Sequence, residues 1–184
     1  MSEILFNNFM KKYNVSQELC NKYETILPEE LIYLWKKYGL GSFMGGYLKM
    51  INPEEYQALL IDTYFRGCVS IPMFITAFGD VITWEENKYV RMIKYRNGLF
   101  KGMTSGFDFF LEDLQEEVFN DDYFDVSMYN DAIKIWGNIE FDECFGYVPL
   151  LGLGGSEKVQ NLKKIKIKEY IEVIVQLVGR IGFY

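Results

Sequence analysis

Asp108, Glu112, Asp113, Glu116, Glu117, Asp121, Asp122 and Asp125 follow one another with no lysine or arginine among them. Asp131 extends the run, so residues 102–133 hold nine acids and no base. Carboxylates at this density can hold a divalent cation, share a proton in acid–base catalysis, present a negative face to a basic partner, or keep a surface solvated. The metal reading is weak. Asp121, Asp122 and Asp125 lack the D-x-[DN]-x-[DN]-G pattern of a calcium loop, and no glycine turns the segment. Acid–base work on a glycosidic bond needs two carboxylates at a set separation, and nothing in the spacing selects a pair. A docking surface for a basic protein and a solvated acidic face both remain open.

Other chemistries lack their residues. The chain has no histidine, which removes the commonest general base and metal ligand and with it Ser-His and Cys-His arrangements. Cys20, Cys68 and Cys144 are odd in number and far apart, so they read as buried free thiols in a reducing compartment. Gly39–Gly46 and Gly152–Lys158 are glycine-rich but lack the spacing of a phosphate cradle, and they read as turns. No cofactor and no metal is expected. The formal charge of −7 speaks against direct nucleic-acid binding, which needs a basic surface. The charge is also uneven: residues 102–157 carry thirteen acids and one base, residues 158–184 six bases and two acids. The longest apolar stretch, Ile171–Val178, is interrupted by Glu172 and Gln176 and is far short of a membrane span. With no signal peptide at the N-terminus, the reading is a soluble, cytoplasmic protein without a membrane partner.

The elements that must position the acidic run are legible in part. Phe74–Phe78, Val81–Trp84, Tyr89–Tyr95 and Leu99–Met103 are rich in β-branched and aromatic residues and are separated by short polar turns. They predict an antiparallel meander, with Asn97-Gly98 as a type I′ hairpin turn. Helices are predicted over Ser2–Tyr13 (Ser2 capping), from Ser16, over Pro28–Tyr38, and from Asn52 to about Tyr64. Tyr47–Ile51 is predicted to be a short strand. A helix capped by Thr104 or Ser105 is predicted to reach Phe119, burying Phe107, Phe110, Leu111, Leu114 and Val118 and exposing the acids. Val126–Trp136 is predicted as a helix, with Trp84 and Trp136 in the core. Phe145–Leu153 and Lys163–Ile167 are predicted as strands and Lys168–Val178 as the last helix. The fold class is therefore α+β: a central twisted antiparallel sheet around Val81–Met103 flanked by helices. The boundary falls near Asn120–Asp125, giving lobes 1–119 and 120–184 packed as one unit.

Gly146-Tyr-Val-Pro-Leu-Leu-Gly-Leu-Gly-Gly155, then Val159–Lys164 and Lys168–Gly179, resemble a known bacterial family. They are similar to the C-terminal domain of type VI secretion DNase-immunity proteins, preceded by a GAD-like domain. Pro149, Leu151, Leu153, Gly154, Gly155, Leu162, Gln176 and Gly179 carry the C-terminal likeness. Leu27-Pro28…Tyr38-Gly39 and Phe78-Gly79-Asp80…Trp84 resemble the front half. The chain departs from the family pattern at Leu150, where alanine is usual, and at Tyr170, where histidine is common. The resemblance, which extends to the broader Smi1/Knr4-like immunity fold, implies a non-enzymatic antitoxin that binds a bacterial toxin, a nuclease with a basic surface. On that reading the eight carboxylates Asp108–Asp125 form part of the partner-binding face. A regulatory or scaffold module, or a hydrolase working with carboxylates alone, are the alternatives.

Overall fold

The computed structural model describes residues 2–182, with side chains from residue 4 to residue 182. Strands β1 (Met10–Tyr13), β2 (Leu40–Phe43), β3 (Leu48–Met50), β4 (Ser70–Thr76), β5 (Val81–Glu85), β6 (Tyr89–Lys94) and β7 (Leu99–Ser105) form one sheet. Each pairs antiparallel with the next in the chain, so the whole sheet is a meander. Helices α1 (Gln17–Tyr23), α2 (Glu29–Tyr38), α3 (Pro53–Thr63), α4 (Phe107–Asp113), α5 (Glu117–Tyr123), α6 (Val126–Trp136) and α7 (Ile167–Val178) surround it. A separate hairpin pairs β8 (Glu143–Tyr147) with β9 (Leu162–Lys166). The class is α+β, as the patterning predicts.

Strand alternation explains why β5 is buried at every position and β4 at nearly all. Successive side chains point to opposite faces, and here both faces are covered. Phe74, Ile82 and Met92 enter one core with Trp35 of α2 and Phe107 and Phe110 of α4. Their neighbours Ile75, Val81 and Ile93 enter a second core with Tyr56 and Leu60 of α3 and Ile171 and Ile174 of α7. The helices are started locally. Ser16 Oγ accepts from the Leu19 N–H at 3.1 Å, and Asn52 Oδ1 accepts from the Glu54 N–H at 3.0 Å with Pro53 in the first turn. Trp84 is buried, and Trp136 is half-buried with its indole N–H donating to the Val159 carbonyl at 3.1 Å.

Several local expectations change. Strand β8 ends at Tyr147 where a strand to Leu153 is predicted, Leu151–Leu153 forming a 3₁₀ turn, and Cys68 is exposed while Cys20 and Cys144 are buried. The predicted N-terminal helix is a short 3₁₀ turn over Ser2–Phe6 followed by strand β1, and the proposed Ser2 cap lies outside the described side chains. Gly39–Gly46 contains strand β2 rather than a loop. A Cβ on Gly41 would sit 2.2 Å from the Met10 carbonyl oxygen, so the glycine is what admits β1 so close. The type I′ geometry lies one hairpin earlier than Asn97-Gly98. Glu86 and Asn87 have φ of 56° and 51°, closed by the Lys88 N–H to Glu85 carbonyl bond at 3.1 Å. At Asn97-Gly98 a 3₁₀ turn over Tyr95–Asn97 ends on left-handed Gly98 instead. The predicted acidic helix is two helices, α4 and α5, with Gly106 rather than Thr104 or Ser105 at the start.

The C-terminal hairpin explains the Gly-Tyr of the motif. Tyr170 of α7 is buried, and its hydroxyl accepts from the Tyr147 N–H at 3.0 Å. Its ring therefore lies across β8, where a Cβ on Gly146 would meet Tyr170 Cε2 at 2.7 Å and Ile165 Cδ1 at 2.8 Å. Gly146→Ala should cost about 1–3 kcal/mol, the usual penalty of overpacking a filled core. Gly152→Ala, facing only the side-chain ends of Val178 and Leu177 at 3.1 and 3.4 Å, should cost clearly less. Equal denaturation midpoints for the two variants would refute this packing account. The hairpin is also stapled to the sheet. Lys49 of β3 is 1% exposed, and its ammonium donates to the Glu140 carbonyl at 3.0 Å and to the Glu143 carbonyl. Burial pulls its pKa down to about 8 despite the neighbouring acids.

Candidate functional site

The acidic segment is built on three short elements after β7. Gly106, with φ of 106°, turns the chain, and α4 lays Phe107 and Phe110 against Phe74 at ring separations of 6.2 and 5.8 Å. The chain then turns at Leu114, Gln115 and Glu116. The Gln115 N–H reaches the Glu112 carbonyl at 3.0 Å, and the Glu116 N–H reaches the Asp113 carbonyl at 2.9 Å. Helix α5 buries no residue of its own. It is held by Phe119 against Phe110 at 6.4 Å, by Asn120 donating to the Leu114 carbonyl at 3.1 Å, and by the Tyr123 hydroxyl donating to the Gly102 carbonyl at 2.8 Å. Phe124, buried against Tyr47 at 5.4 Å, ties the segment to the turn just before β3.

The eight carboxylates divide into two groups. Asp108, Glu112, Glu116, Glu117, Asp121 and Asp122 are exposed and Asp113 is half-buried. Among the described residues none of these seven enters an ion pair. Asp125, just before α6, is different: it binds the guanidinium of Arg96, which also lies 3.2 Å from Asp80. The split of the helix also changes the repulsion expected from i,i+4 pairs. Asp108/Glu112 stays within α4, Glu112/Glu116 and Asp113/Glu117 are separated by the turn, and Glu117/Asp121 falls within α5. A groove of about 500 Å³ opens beside α6, lined by Asp121, Asp125 and Asp131 with Val126, Met128 and Val159.

Two features escape the sequence reading. Val118, placed there on the buried stripe, is 75% exposed, and Phe109 is 61% exposed. The second is the Asp80–Arg96–Asp125 triad, with Asp80 and Arg96 buried and Asp125 at the surface, whose members come from the β4–β5 turn, the β6–β7 turn and the start of α6. Asp80 is 1% exposed, and burial pushes its pKa up to about 6 against the pull of Arg96. The Arg96 guanidinium also rests over the Phe78 ring at 4.4 Å. Elsewhere, Glu85 is fully buried, but Arg66 Nε at 2.7 Å, Arg91 Nε at 2.9 Å and Ser70 Oγ at 2.8 Å satisfy it, so it is a structural anion. Among the described residues no group of three or more carboxylate or thiol ligands is placed to hold a metal.

The GAD-like domain family model matches residues 1–96, just over half of the 184-residue chain. The chain belongs to the GAD-like domain family. Beyond that domain, residues 104–178 match the model described as T6SS immunity protein Tdi1, C-terminal. That second match contains the whole acidic segment, so the carboxylates of this GAD-like protein sit in its immunity-type region. No curated protein matches the chain. Among solved structures, the crystal structure of Atu4351 from Agrobacterium tumefaciens superposes with a TM-score of 0.76 at 18% identity. The match covers 96% of this chain and 89% of that one, so the two share a fold. No helix among the described residues of the GAD-like protein is long and apolar enough to cross a membrane.

Proposed function

We propose that this GAD-like protein is a cytoplasmic, non-enzymatic immunity protein that binds a toxin domain and blocks it. The partner is a nuclease with a basic active face, and the acidic segment occupies the place of nucleic-acid phosphate. The observation that carries the reading is a row of seven carboxylates that enter no ion pair among the described residues, inside the region matched to T6SS immunity protein Tdi1, C-terminal. A nuclease must present positive charge to its substrate, which makes it complementary to such a row. We keep lobes 1–119 and 120–184 as halves of one unit. The Tyr47 contacts to Phe124 at 5.4 Å and Tyr129 at 5.3 Å across that boundary support this.

The test is protection. The toxin domain encoded by the neighbouring gene is expressed with and without this protein, and complex formation is measured with a catalytically silenced copy. Growth restored by co-expression, with a one-to-one complex that weakens as salt rises, is the expected result. Growth arrest despite co-expression, with no complex at any salt, would overturn the immunity reading.

A further inference from the structure

Carboxylates on a rim steer a partner in but hold it weakly, because exposed ion pairs lose to solvent most of what they gain. An inhibitor also needs buried apolar anchors, and interface energy concentrates in a few of these. The acidic segment contains two large apolar side chains that the fold itself does not use, Phe109 at 61% and Val118 at 75% exposure. Helix geometry places each among acids. Phe109 has Glu112 and Asp113 at i+3 and i+4 within α4, and Val118 has Asp121 and Asp122 at i+3 and i+4 within α5. The same unit, an exposed apolar knob flanked by two carboxylates, thus occurs on two consecutive helices. The Phe109 ring lies beside the Gly106 turn, where a Cβ would meet Phe109 Cδ2 at 3.0 Å.

We infer that Phe109 and Val118 are the apolar anchors of the toxin-binding surface, each seated in an apolar socket of the partner rimmed by lysine or arginine. The inference rests on the immunity reading above and deepens it. Charge selects this occupant. The flanking carboxylates would oppose an acidic protein or a second copy of the same face, whereas a basic rim around the socket pairs with them as the knob enters. The exposed apolar residues of α7 lack this setting. Val173, 50% exposed, has Gln176 and Leu177 at i+3 and i+4 and serves as the comparison site.

The experiment measures binding kinetics of the silenced toxin domain from the neighbouring gene to the full chain, to Phe109→Ala/Val118→Ala, and to Val173→Ala. Alanine favours the helix and both anchors are exposed, so the double variant should melt as the parent does. Should the Phe109 change disturb α4, Val118→Ala alone and Phe109→Leu, which keeps an apolar knob, give the same reading. We expect the double variant to dissociate tenfold or more faster with association within about twofold, Phe109→Leu to recover part of the loss, and Val173→Ala to match the parent. If the parent binds and the double variant dissociates at the parental rate, the anchors lie outside the interface and only this inference falls. If faster dissociation follows Val173→Ala instead, the α7 face is the interface. If the parent does not bind, the immunity reading fails and the anchors with it.

Discussion

Arg96→Met should cost about 3–5 kcal/mol of folding stability at neutral pH, the usual penalty for stripping a buried charge of its partner. Asp80 is 1% exposed, and Arg96, 3.2 Å away, is its ion-pair partner among the described residues. Burial already raises its pKa from 3.8 to about 6. A raised carboxyl pKa means that the folded state holds the proton more tightly than the unfolded chain. The contribution of Asp80 is therefore most favourable below about pH 4 and is lost as pH rises through about 6. Without Arg96 the pKa climbs further and this loss extends to higher pH. The destabilisation should accordingly be smaller at pH 5 than at pH 7. Asp80→Asn/Arg96→Met removes both charges and should recover much of the loss, because replacing a buried pair is gentler than breaking it. Denaturant titrations of the three proteins at both pH values decide the matter. A cost below about 1 kcal/mol that does not change with pH would show the triad to be unimportant for folding.

That triad also marks where sequence reasoning stops. Strands β5 and β6 are legible because they are rich in β-branched and aromatic residues and bounded by polar turns, and the Ser16 and Asn52 caps are legible because their bonds are local. Asp80, Arg96 and Asp125 come from separate turns, and no local pattern joins them. The helix expected over Ser2–Tyr13 rests on the near-helical spacing of Ile4, Leu5, Phe9 and Met10, and nothing in strand β1 opposes it, because all four of its residues are exposed and burial imposes no alternation there. The acidic run was visible as composition, but its phase was not. Counting i+11 from Phe107 assigns Val118 to the core only if the helix is unbroken. The turn at Leu114–Glu116 resets the phase, and α5 points Val118 outward. Neither glycine nor proline marks that turn, and what holds it is tertiary: Phe119 against Phe110 and Asn120 on the Leu114 carbonyl.

Glu112→Lys/Glu116→Lys/Glu117→Lys should slow association with the silenced toxin domain by on the order of a hundredfold at low salt, and far less at high salt. All three side chains are exposed and enter no ion pair among the described residues, so their field reaches solvent unopposed. Dissociation should change less, because rim charges act mainly on encounter. This pattern is opposite to that expected of Phe109 and Val118, which lets one data set separate steering from anchoring. The effect on folding should be small and of mixed sign. Lysine at 112 converts the repulsive Asp108 pair into an attractive one, whereas lysines at 116 and 117 sit at the positive end of α5. Leu114→Asp is the contrasting control. That side chain is 1% exposed at the turn between the helices, so a charge there should unfold the segment and abolish binding at every salt concentration. An unchanged association rate for the triple lysine variant at low salt would reduce the acidic face to a solvating surface. The loops of the meander would then be the place to look for the toxin contact.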